Sequence, residues 1–228
     1  MKNIPTIKSS AQARLLLYRL FSSKLNNAEQ KLIDAHPGLW EQIISGLEML
    51  TDAENKSDQT ILNQAFASID RITRDGLQKQ FERLTGQSLW LGIHATKLLE
   101  DFVKEHLLLI KSVQHEHLNK IGFAITRGIR DGLLAKDIVK DIRQTTNISK
   151  QRARLIARNA PQQYSGALTK HHQVSAGIKK YRWQTSRDER VRKSHRKFDG
   201  EILSWDSSKP HPRSEVNCRC DAVPVLDL

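Results

Sequence analysis

Cysteine is scarce. Two in 228 residues, Cys218 and Cys220, cannot form the disulfide framework of a small secreted domain, so a reducing compartment is expected. Long apolar runs are absent too. The longest patch, Leu107 to Ile110, is far too short to span a bilayer. In the N-terminal stretch, Arg14 and Arg19 interrupt the only apolar run, which excludes the h-region of a signal peptide. These absences lead us to expect neither a visible secretion signal nor an integral membrane protein. Internal repeats and low-complexity tracts are also missing.

Acidic residues are short in one place only. Residues 1–149 carry 20 Lys and Arg against 17 Asp and Glu, a net charge of +3; residues 150–228 carry 17 against 8, a net charge of +9. The basic field therefore belongs to the last third, and such a field favours polyanions or an acidic protein surface. A hydrophobic fraction of 38% fits a soluble protein with much helical surface, or one that buries surface on a partner. The length suits one or two domains.

Most of the chain reads as helix. An amphipathic pattern over 8–33, capped by Ser9 or Ser10, ends at Pro37-Gly38. A second helix covers about 39–50, and 51–59 reads as a loop whose Ser57 caps a third helix over 58–84. Residues 85–88 are a break, and 89–118 read as a long helix that continues through Ile121–Ile129 to Gly132. His106, His115 and His117 are read as surface residues. His115 and His117, two apart, do not share a helix face, which argues against metal binding. Residues 134–143 are read as a short helix and 145–147 as a turn, with Ser149 capping a helix over 150–176. That pair has the look of a helix-turn-helix or of a plain helical hairpin, the latter favoured. Pro161 can kink the second helix and Gly177 ends it.

After Gly177 the character changes. Residues 179–185 alternate as a strand, with Tyr181 and Trp183 on one face. Residues 186–196 are read as a short capped helix with Asp188, Arg192 and His195 on one side, allowing an Asp188–Arg192 pair. Asp199-Gly200 is a turn into a strand over 201–205. Residues 207–214 form a loop and 216–225 a last extended segment, in which Cys218 and Cys220 project to one face. Two thiolates on a face are half of a zinc site, and His195 and His211 can complete it. The competing reading is a buried, reduced cysteine pair that packs as small apolar groups.

In order and spacing, Trp183, Thr185, Asp188, Arg190, Val191, Arg192, His195, Asp199, Gly200, Asn217, Cys218, Arg219 and Cys220 resemble the C-terminal domain of the phage Mu F-like minor head proteins, the phage head morphogenesis family. Ile156-Ala157-Arg158 is similar to the signature of the helix before that core; many members follow it with Thr-Glu or Asp-Gln, where this chain has Asn159-Ala160. The resemblance covers about 148–228. With the helical pattern upstream, the expected fold is a mainly α chain: a helical region over 1–147, expected to dock on portal or scaffold, then a small α+β domain over 148–228 with short strands. The resemblance implies a minor capsid component of a tailed phage or prophage, without firm catalytic activity, found inside the virion and in the host cytoplasm during assembly. Expected partners are the portal protein, scaffold or major capsid protein, and double-stranded DNA bound without sequence preference. Lys179, Lys180, Arg182, Arg187, Arg190, Lys193, Arg196 and Lys197 are the candidates for phosphate contact. No cofactor is expected, zinc aside. The alternative is a nuclease-like or transferase-like enzyme of toxin type, with Asp188, His195 and Asn217 as its site. A third reading gives these polar residues only the task of tying a small domain together by hydrogen bonds.

Overall fold

The computed structural model describes residues 10–53, 56–88 and 95–226. Ser9 and the first residues of the long helix expected from 89 lie outside them. Among the described residues, five longer α-helices precede a small sheet: α1 (Ala11–Ile33), α2 (Trp40–Asp52), α3 (Lys56–Thr85), α4 (Thr96–Arg130) and α5 (Ala135–Ser175), then β1 (Lys180–Gln184), the short α6 (Lys193–Arg196), β2 (Ile202–Ser204) and β3 (Asp221–Val225). The chain is mainly α with a small α+β end, as the sequence indicates. No helix among the described residues is long and apolar enough to cross a membrane.

Local signals set most boundaries. Ser10 caps α1, its Oγ accepting the Ala13 N–H at 3.0 Å. Pro37–Leu39 forms a single 3-10 turn between α1 and α2. At the end of α4, Gly132 takes φ +70°, the Leu133 N–H reaches the Gly128 carbonyl and the Gly132 N–H that of Ile129. Gly177 closes α5 in the same way, with φ +78°. Both are glycine caps in which a left-handed residue lets the chain turn back on the last carbonyls.

Three expectations fail. The 51–59 loop is largely helical, with Thr51 and Asp52 in α2 and Ser57 inside the first turn of α3. The turn at 145–147 is absent: α5 runs unbroken for 41 residues, through Pro161 as well, so neither a hairpin nor a helix-turn-helix forms there. Thr146 is fully buried with its hydroxyl bonded to the Ile142 carbonyl at 3.1 Å, and tertiary burial outweighs weak propensity. Finally, His106 and His117 are buried rather than on the surface.

The chain divides into two compact units. Among the described residues, the first comprises those within 10–14, 63–88, 95–102 and 158–226; the second comprises those within 15–53, 56–62 and 103–157. In the second unit Leu32, Trp40, Ile121, Ile125, Ile138 and Ile142 form one core cluster, and the Trp40 indole N–H donates to the Leu32 carbonyl at 2.7 Å. There α4 and α5 meet at Gly128, where an added Cβ would lie 2.6 Å from Ile138 Cγ1.

In the first unit Phe66, Phe102 and Tyr164 pack as an aromatic trio, with ring centroids 4.8–5.9 Å apart. The sheet of this unit has the order β2-β1-β3, all antiparallel. Tyr181 faces Leu203 on one side and Pro224 on the other; Pro224 is tolerated because β3 is an edge strand. The buried face gathers Tyr181, Trp183, Leu203, Trp205, Ala222 and both cysteines. Gln173 joins α5 to this sheet, donating to the Ala222 carbonyl at 2.8 Å and accepting from the Trp205 indole at 3.1 Å.

Candidate functional site

The motif-bearing region lies wholly in the first unit. Alternation in β1 buries Tyr181 and Trp183 and leaves Arg182 and Gln184 partly exposed. Just after β1, the Thr185 N–H and hydroxyl both donate to Asp199 Oδ1, at 2.8 and 3.0 Å. Gly200, at φ +87°, returns the chain so that its N–H meets the Trp183 carbonyl at 2.8 Å. Thr185, Asp199 and Gly200 thus close the β1–β2 connection.

Within it, residues 186–192 are not helical; only Lys193–Arg196 forms a turn of helix. Arg196 holds the irregular stretch open by donating to the carbonyls of Val191 at 3.0 Å and Glu189 at 2.8 Å. The expected Asp188–Arg192 pair does not form. Asp188 instead accepts two bonds from Arg219, at 2.6 and 2.7 Å, a fork that holds its carboxyl below the usual carboxylate range. Arg190 stands 3.7 Å from the same carboxylate. Arg192 turns to the Glu215 carboxylate and the Val216 carbonyl.

His195 is buried against Trp183, with ring centroids 5.2 Å apart. Its Nε2 meets Glu215 Oε2 at 3.0 Å, and its Nδ1 faces Cys218 Sγ at 3.6 Å and Cys220 Sγ at 3.7 Å. The three candidate ligand atoms lie within 4.8 Å of one another, and all three residues are buried. The Arg213 N–H donates to Cys218 Sγ at 3.2 Å. The Trp183 indole N–H is buried with no hydrogen-bond partner and acts on Cys220 in the sense that favours a thiolate. A hydrogen bond from Cys220 favours the thiolate at Cys218, which pushes the Cys220 thiol pKa up. One imidazole and two sulfurs form a donor set that could hold zinc or another thiophilic metal.

His211, the fourth candidate ligand, is engaged elsewhere. Its Nδ1 meets the Tyr181 hydroxyl at 2.9 Å, its Nε2 lies 3.4 Å from Lys170 Nζ, and its ring packs on Trp205. Burial and the nearby Lys170 charge hold its pKa below the ordinary value. Asn217 adopts φ +59° and its N–H donates to Asn159 Oδ1 at 3.0 Å. Asp188, His195 and Asn217 therefore have three separate sets of partners.

Of the basic candidates, Lys179, Lys180, Arg187, Arg190, Lys193, Arg196 and Lys197 are exposed and Arg182 is partly so. Arg187 stands 3.4 Å from Asp199, whereas Arg196 is spent on the loop it holds.

Sequence reading misses a second polar centre. Arg213 is buried, at φ +68°, with its guanidinium 2.5 Å from Asp221 and 2.8 Å from the Ser165 hydroxyl, which in turn takes a bond from Thr73 at 2.9 Å. Gly166 makes room for it: an added Cβ would lie 2.8 Å from Arg213 Cβ and 3.0 Å from the Pro212 carbonyl. Its sequence signal is faint, an arginine after two prolines in a polar loop.

Comparison with known proteins agrees with the motif. Residues 119–223 match the family model described as Phage Mu protein F like protein. An uncharacterized protein of Haemophilus influenzae is 38% identical over 185 residues, 75% of this chain and 41% of that protein; the chain thus spans well under half of this relative's length. Minor head protein GP7 of Bacillus phage SPP1 is 21% identical over 242 aligned positions, 95% of this chain and 78% of that protein. No solved structure matches. With the motif in place over 183–220 and the family model matched over 119–223, this segment is a Phage Mu F-like region.

Proposed function

We propose that the chain is a head morphogenesis protein of a tailed phage or prophage, a minor component that associates with the portal and assists procapsid assembly and the packaging or delivery of DNA. The observation that carries this reading is the family match over 119–223, joined by a relative whose printed name is a minor head protein and which aligns with 95% of the chain. Its place would be the virion interior, and the host cytoplasm during assembly. Portal, scaffold or major capsid protein are its proposed partners, with residues 1–147 docking and 148–228 forming the family domain.

The surface suits a role in attachment. In the second unit, Phe123 is 71% exposed and Ile148 51% exposed, and both line a depression with Lys120, Arg127 and Thr145. Two large apolar side chains exposed in one depression are what a partner would cover. The exposed lysines and arginines of 179–197 would meet DNA phosphates in a loose array, giving binding that falls steeply with salt.

Co-purification with the portal protein encoded nearby tests the reading. Stable association, weakened by Phe123→Asp without loss of folding, is expected. Failure to associate, together with a measurable nuclease activity, would reverse the assignment.

A further inference from the structure

We infer that His195 Nδ1, Cys218 Sγ and Cys220 Sγ bind a zinc ion, which ties α6 to the 218–220 segment. This does not depend on the head-assembly reading.

The first argument is geometric. A tetrahedral zinc with Zn–S of about 2.3 Å and Zn–N of about 2.0–2.1 Å sets nitrogen and sulfur about 3.6 Å apart. Nδ1 stands 3.6 Å from one sulfur and 3.7 Å from the other. A plain hydrogen-bonded cluster explains this less well. With Nε2 committed as donor to Glu215, Nδ1 offers a single lone pair, and two thiols converge on it. One S–H can use that lone pair; the other has only the neighbouring sulfur, a weak acceptor, to turn to. A cation accepts the nitrogen and both sulfurs at once, and the two thiol protons leave to solvent as it binds.

The surroundings argue the same way. Glu215 behind His195 is the carboxylate that fixes tautomer and ring orientation in many histidine–metal sites. The group that meets the Cys218 sulfur is a donor, the Arg213 N–H at 3.2 Å. A donor turned toward sulfur suits a thiolate. The cysteines are 4% and 2% exposed, so the pair is shielded as a bracing site requires. Among the described residues the cluster has three members, and His211 is held by Tyr181 and Lys170. The fourth position is therefore assigned to water.

The test is the metal content of the full chain, purified without chelator and, separately, supplied with zinc. One zinc per chain is expected. Cys218→Ser and Cys220→Ser should each lower occupancy more than tenfold, while His211→Asn keeps it. Because the cysteine variants can fail to fold, two further measurements are made on folded protein. Cobalt(II) substitution of the unaltered chain should give thiolate-to-cobalt charge-transfer absorption. Glu215→Gln should weaken zinc, in competition with a chelator, by about 10–100-fold. A folded chain that takes up neither metal while both thiols react freely would overturn the inference. So would loss of zinc in His211→Asn as complete as in Cys218→Ser.

Discussion

Glu215 Oε2 lies 3.0 Å from His195 Nε2, so the imidazole is fixed from behind and presents its other nitrogen to Cys218 and Cys220. The same carboxylate receives Arg192, which makes Glu215 the joint between the 186–196 stretch and the 215–220 turn. Removing it leaves a buried imidazole N–H without an acceptor, a loss of about 1–3 kcal/mol. Glu215→Ala should lower the urea unfolding free energy by that order. Arg192→Ala, which removes a half-exposed partner, should cost less than 1 kcal/mol, on the order of other exposed pairs. Equal costs for the two variants would contradict this ranking.

Arg213 and Asp221 form the buried ion pair of the first unit, 2.5 Å apart and both almost inaccessible. Breaking such a pair from one side strands a charge and costs about 3–5 kcal/mol, whereas replacing both ends with apolar groups is often neutral. Arg213→Met and Asp221→Leu should each lower stability strongly, and the double variant should recover most of the loss. A double-mutant cycle in urea gives the sign; additive losses would mean that the two residues act independently.

How much of this was legible depends on where each residue's partner lies. Gly132 and Gly177 are read correctly because a helix cap is a local event. The β1 face is read correctly because Tyr181 and Trp183 alternate within five residues. The turn at 145–147 is misread because Thr146 is held helical by burial, which its neighbours in sequence do not announce. The 186–196 helix is misread for a related reason. Asp188 and Arg192 have helical spacing, but their partners, Arg219 and Glu215, lie 31 and 23 residues on. The cysteines and His195 are visible as candidate ligands; that His211 stands apart from them is a matter of packing against Tyr181 and Trp205.

Gly166 tests how closely the Pro212–Arg213 loop rests on α5. A methyl there would press on Arg213 Cβ and the Pro212 carbonyl, and neither is the free end of a flexible side chain. In an exposed helix Gly→Ala gains about 1 kcal/mol. Here overpacking should reverse the sign and give a net loss of about 1–3 kcal/mol. Thermal or urea unfolding of Gly166→Ala decides between them, and a gain would show that the loop is free to move away.

His117 sets a pH dependence for the second unit. Desolvation by burial lowers its pKa to about 4; the Leu25 backbone, the next largest influence, works the other way, and the charges of Lys150 and Lys120 add to the lowering. Its Nδ1 meets the Ser149 hydroxyl at 3.1 Å, and its Nε2 closes no hydrogen bond. The folded chain therefore holds this imidazole neutral over a range where the unfolded chain, with a pKa near 6.5, protonates it. The sign follows from linkage: above about pH 6.5 His117 has no effect, and below it the unfolded state binds the extra proton and stability falls. At about 1.4 kcal/mol per pKa unit, the loss reaches about 3 kcal/mol near pH 4 and then levels off. Unfolding free energies measured from pH 7 to pH 4 should show this fall. In His117→Gln the slope should drop by close to one proton, even though the variant is less stable at pH 7. An unchanged slope would mean that this imidazole becomes charged as readily in the folded chain as in the unfolded one.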